Sequence, residues 1–221
     1  MVKKRRAGFT LIELLVVIAL MAILVGGIGL SFGGGGTGKA IEASQRIAIG
    51  MLSNARNQAI MNGSRARLII HADQSDPENY LRLLGVIYED SANPDMWLAT
   101  GSGEMFPANI RFVPNYGSSN FSHNGREGNL DTMNLNFPQK KAQKAGGGTL
   151  FYYYEFKSSG ITSNNLAAFI IGEGTYNPGS TESDKIVWNK TSLNGFKILK
   201  TGGTLPYPSP DLIKGYEVDD K

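Results

Sequence analysis

Gly8-Phe9-Thr10-Leu11-Ile12-Glu13-Leu14-Leu15-Val16-Val17-Ile18-Ala19-Leu20-Met21-Ala22-Ile23-Leu24-Val25-Gly26-Gly27-Ile28-Gly29-Leu30-Ser31 is an apolar run broken early by one carboxylate, Glu13. As a helix rising about 1.5 Å per residue, the stretch from Phe9 to Leu30 covers the roughly 30 Å hydrocarbon core of a bilayer, so it predicts a membrane helix. A carboxylate inside such a helix costs on the order of 3 kcal/mol to insert, so Glu13 needs a partner or a purpose. Lys3, Lys4, Arg5 and Arg6 precede the run. Positive charge on this side keeps the N-terminus in the cytoplasm and sends the C-terminal bulk across the membrane. A secretory signal has a shorter apolar core followed by a small-residue cleavage site, whereas here the small residue, Gly8, comes before the core.

A basic leader, Gly8, then Phe9-Thr10-Leu11-Ile12-Glu13 and an apolar helix resembles the class III signal of type IV pilins and type II secretion pseudopilins. The resemblance implies cleavage after Gly8 by prepilin peptidase, N-methylation of the new terminus at Phe9, and assembly with other pilins through the N-terminal helix. It also implies that Glu13 meets the Phe9 amine of a neighbouring subunit. That pairing is physically sensible, because an amine and a carboxylate, each costly alone in lipid, neutralise one another on assembly.

Composition narrows the rest. The chain has 221 residues and no cysteine, which excludes disulfides, thiolate metal sites and cysteine nucleophiles. Its formal charge of +3 belongs to the leader: without Lys3, Lys4, Arg5 and Arg6 the 22 basic residues become 18, against 19 acidic ones. The high isoelectric point therefore says nothing about nucleic acid. Beyond the apolar run there is material for one globular domain.

The expected organisation is a leader over 1–8, a transmembrane and assembly helix over 9–32, a glycine-rich joint over 33–38, a globular domain over 39–205 and a tail over 206–221. Consecutive glycines at 33–36 oppose helix at about 1 kcal/mol each, hence the joint. Gly33 to Lys39 fits most of a phosphate-loop pattern, but Ala40 stands where a hydroxyl is required and no strand precedes it. From Lys39 to Asn62 the apolar residues Ile41, Ala48, Leu52, Ala55 and Ala59 return at helical spacing, with Gly63 suited to a left-handed cap. The passage from Ala55 to Gly63 into Arg67-Leu68-Ile69-Ile70 resembles that of H-type minor pseudopilins and related T-type minor pilins (GspH/FimT-like).

Strands are predicted over 65–71, 80–89, 110–113, 130–137, 149–157, 166–171, 185–188 and 195–199, from alternation and from enrichment in Val, Ile, Tyr and Phe. Residues 115–128 and 139–148 read as loops. The fold class is thus α+β, a long N-terminal helix packed on an antiparallel pilin-like sheet domain.

No constellation suggests catalysis. His71 and His123 lack an acidic partner at useful spacing, and Ser122 beside His123 is not a nucleophile–base pair. Asp73, Asp76 and Glu78 lack the ligand spacing and glycine of a calcium loop and read as a solvated turn. Lys140, Lys141 and Lys144, with Tyr152, Tyr153 and Tyr154 nearby in sequence, are the one candidate contact with nucleic acid, though alternate strand residues face opposite sides. Trp97 and Trp188 read as packing residues. The expectation is a non-enzymatic filament subunit, with no cofactor, metal or small-molecule substrate, inserted once in the inner membrane with its C-terminal domain periplasmic or extracytoplasmic. The alternatives are a DNA-binding minor pilin of a competence-type pilus, or a membrane-tethered enzyme.

Overall fold

A computed structural model describes residues 11–12, 14–18, 36–114, 130–139, 141–164, 167–179 and 185–207. The chain divides into two units, Met1–Lys39 and Ala40–Lys221. In the first, residues 11–12 and 14–18 are helical. Gly8, Phe9, Glu13, Gly33 to Gly35, His123, Lys140 and the loop expected over 115–128 lie outside the described residues.

Helix α1 (Gly36–Asn62) starts inside the expected glycine joint, three residues before Lys39. Its buried stripe, Ile41, Ser44, Ala48, Met51, Leu52, Ala55 and Ala59, has the spacing of one helical face. Ala48, Ala55 and Ala59 are fully buried, and their small side chains let the helix axis approach the sheets closely. The helix ends in paired carbonyl caps: Ser64 N–H donates to Ala59 O at 3.2 Å and Gly63 N–H to Ile60 O at 3.3 Å. That geometry places Gly63 at φ +60, which glycine adopts without steric cost.

Eleven strands follow among the described residues: β1 (Ala66–His71), β2 (Leu83–Glu89), β3 (Met96–Ala99), β4 (Glu104–Met105), β5 (Ile110–Phe112), β6 (Thr132–Leu135), β7 (Gln143–Lys144), β8 (Thr149–Phe156), β9 (Ala167–Tyr176), β10 (Ile186–Ile198) and β11 (Thr204–Pro206). They form a seven-stranded sheet in the order β6-β8-β1-β2-β3-β7, with β4 on β2, and a four-stranded sheet in the order β11-β10-β9-β5. Every pairing is antiparallel.

The main core joins α1 to one face of each sheet. It combines Leu52 and Ala55 with Leu68, Ile70, Val86 and Tyr154 from the larger sheet and Phe112, Phe169, Ile171 and Phe196 from the smaller. Phe169 stacks on Phe196 with centroids 5.1 Å apart, and the Tyr154 hydroxyl donates to Ala168 O at 2.7 Å. Such a hydroxyl needs a partner when fully buried.

The larger sheet curls until its edges meet. Gln143 in β7 accepts from the Asn136 N–H and donates to the Asn136 carbonyl, and Gly146 N–H reaches Asn134 O at 3.0 Å. One side-chain amide thus replaces a peptide in joining β7 to the chain just past β6. Enclosed on that concave face are Ile69, Ile87, Trp97, Met133, Leu135 and Phe151.

Several expectations change. The strand expected from Tyr80 begins only at Leu83, because Leu81 turns the chain at φ +60. Residues 185–188 and 195–199 belong largely to one strand, β10, interrupted by a register shift between Trp188 and Leu193. The 139–148 loop contains β7 and is pinned at both ends. Pro206 and Tyr207, assigned to a tail, join the smaller sheet, where Tyr207 N–H donates to Gly195 O at 3.0 Å. Residues 208–221 lie outside the described residues.

Candidate functional site

In the first unit, the described helical residues are all apolar and all exposed, from Leu11 at 84% to Val17 at 42%. Exposed apolar side chains grouped in this way mark a surface suited to lipid or to a partner protein. Among the described residues no helix is long and apolar enough to cross a membrane; residues 19–35 are not among them.

In the second unit three groups of polar residues bear on the sequence-predicted sites. On the concave face of the larger sheet, Arg67 is bound by Glu155 through Nε at 2.9 Å and Nη2 at 2.7 Å. Its guanidinium lies between the rings of Trp97 and Tyr153, 4.1 and 3.9 Å from their centroids. At the rim of the same face Arg65 grips Glu89 and reaches Asp95. The Arg65 hydrogen bonds pull the Glu89 carboxyl down to about 2. Alternation along β1 produces this cluster: Arg67, Ile69 and His71 face one way, Leu68 and Ile70 the other.

The second place is the β1–β2 connection. Buried Arg111 donates to the carbonyls of Tyr80, of Pro77 at 3.1 Å and of Gly174 at 3.3 Å, tying this connection to the smaller sheet. Burial lowers its pKa to about 10. His71, at the end of β1, is 5% exposed, sets its ring edge-on to Phe151, and its Nδ1 has no hydrogen-bond partner. Asp76 lies 3.9 Å from its Nε2, yet burial dominates and lowers the His71 pKa. Asp73 and Asp76 bond Ser75 and Asn79 within their own turn, and no acidic or histidine cluster among the described residues could hold a metal.

The third place is the strap over 139–148. Lys141 and Lys144 are exposed on it, and Lys144 pairs with Met96. The neighbouring tyrosines are already committed: Tyr154 is in the core, Tyr152 packs against it, and Tyr153 carries Arg67. Tyr154, fully buried, offers no face for base stacking.

Arg65, Arg67 and Arg111 carry no signal in the sequence. Their partners lie 24 to 88 residues away, and no local pattern announces pairs so distant.

Residues 3–29 match the model of the prokaryotic N-terminal methylation motif. Comparison with the curated proteins and with the solved structures gives no match. The motif supports a type IV pilin-like protein, a class whose precursors are methylated at the N-terminus and assemble with other pilins. A helix on antiparallel sheets fits that architecture.

Proposed function

We propose that the chain is a structural, non-enzymatic subunit of a type IV pilus-like or type II secretion pseudopilus filament, and within that class an H-type minor pseudopilin. Prepilin peptidase cuts after Gly8, Phe9 is methylated, and the apolar helix passes from the inner membrane into the filament while the Ala40–Lys221 unit stays on the periplasmic side. Glu13 neutralises the Phe9 amine of a neighbour and so sets the register between subunits.

The observation that carries this reading is the methylation-motif match over residues 3–29, which includes Gly8, Phe9 and Glu13. The solvent-facing apolar side chains from Leu11 to Ile18 add support, since they need lipid or partner helices. For the H-type assignment the support is the absence of cysteine and the helix-to-strand passage from Ala55 through Ile70.

The test is Glu13→Ala and Glu13→Gln in cells that hold the peptidase and the filament machinery. Both variants should lose their leader as the wild type does and then fail to enter filaments. Incorporation equal to wild type would remove Glu13 from assembly.

A further inference from the structure

At the pole where α1 ends, the turn over 157–161 and the turn over 199–203 close against the helix. Gly160 sits against Ile60, and a Cβ there would fall 2.7 Å from Ile60 Cδ1. Arg56 lies between the turns: its Nε donates to Gly160 O at 3.3 Å, and a Cβ on Gly202 would fall 2.5 Å from Arg56 Cδ. Ile60, Met61 and Ile161 are nevertheless 46%, 78% and 38% exposed. Lys157 and Lys200 flank them in solvent. None of Arg56, Lys157 and Lys200 has an ion pair among the described residues. Exposed branched apolar side chains framed by unpaired cations suit a segment that carries both apolar side chains and carboxylates.

The sequence carries such a segment after the described residues end. Residues 211–220 read Asp-Leu-Ile-Lys-Gly-Tyr-Glu-Val-Asp-Asp, with four acids and Leu212, Ile213, Tyr216 and Val218 among them. β11 starts beside the 199–203 turn and runs away from it: Thr204 pairs with Ile198, Pro206 with Phe196, and Tyr207 N–H bonds to Gly195 O. β11 therefore leaves the pole at Thr204 and carries the chain as far as Tyr207, beside Gly195.

We propose that this pole is a docking surface for the acidic C-terminal stretch of a second copy of the chain. Carboxylates of residues 211–220 meet Lys157, Lys200 and Arg56, while Ile213 or Val218 covers Ile60 and Ile161. The contact is separate from the N-terminal motif and does not depend on leader removal.

The test uses the full, unprocessed chain in detergent with a photo-crosslinking amino acid in place of Ile161. It is repeated with Lys157→Glu and Lys200→Glu, both exposed positions whose change leaves the core intact. The expected result is a cross-linked dimer whose bond maps to residues 211–221 of the other copy, weakening as salt rises and lost in the charge-reversed variant. No dimer, a bond within one chain, or a bond to any other surface would overturn the proposal. So would pole-dependent binding to phosphatidylglycerol vesicles in place of dimer formation. Because the chain is not exposed to prepilin peptidase, a negative result here leaves the filament reading standing.

Discussion

The Arg67 guanidinium lies 4.1 Å from the centre of the Trp97 ring and is the polar lid on the apolar concave face of the larger sheet. Tyr153 covers its other side and Glu155 binds its edge, so one side chain unites strands β8, β1 and β3. With only 11% of the Arg67 side chain and 15% of that of Glu155 exposed, this pair is partly withdrawn from solvent screening.

Arg67→Ala therefore strands the Glu155 carboxylate and uncovers Trp97. Loss of one partner of a buried ion pair costs about 3 kcal/mol, so urea unfolding of the full chain in detergent should shift by that order. Arg67→Lys keeps the charge but not the planar stack, and should cost about 1 kcal/mol. Equal stability of Arg67→Ala and wild type would contradict this account.

Acid should weaken the domain in two separate steps. Burial holds the His71 pKa below its ordinary 6.5, so the unfolded chain binds that proton more tightly. The stability due to neutral His71 is complete above 6.5 and is lost as pH falls through the folded value. Asp73 and Asp76 face it and soften the step. Glu89 acts lower: its contribution is complete above 4.5 and is lost as pH falls toward about 2. His71→Phe should flatten the upper step in urea midpoints measured from pH 8 down to about 2 and leave the lower one. An upper step that persists in His71→Phe would assign it elsewhere.

Gln143→Ala removes both hydrogen bonds to the Asn136 peptide, at a cost of about 1 kcal/mol. The clearer readout is local. Hydrogen exchange of the Asn136 amide and of residues 143–148 should accelerate while that of Ile69 and Ile70 in β1 does not. Unchanged exchange at Asn136 would show that backbone pairing alone closes the sheet.

The parts of the fold that follow from neighbours in sequence were legible there. The α1 stripe from Ile41 to Ala59 and the Gly63 cap follow from helical period and φ freedom, and β1, β8 and β9 from alternation or continuous apolar runs. What escaped depends on distant partners. β3, β4, β7 and β11 are two to four residues long, too short for any period to register. Gln143 looks like any loop glutamine until Asn136 lies beside it. Likewise Tyr152 to Tyr154 read as a stacking platform only until Arg67 and the core claim them. At the N-terminus the balance is reversed: the motif from Gly8 to Glu13 is entirely a matter of sequence, and the fold adds the exposure of the apolar side chains at 11–12 and 14–18.

The central claim is that the chain is a prepilin-type precursor. Its most direct test is the intact mass and N-terminal sequence of the protein made with and without a prepilin peptidase. The account predicts loss of residues 1–8 and a methylated Phe9 only when the peptidase is present. A leader that stays on in its presence, or a cut C-terminal to Leu30, would contradict it and reduce the apolar run to an anchor or a conventional signal.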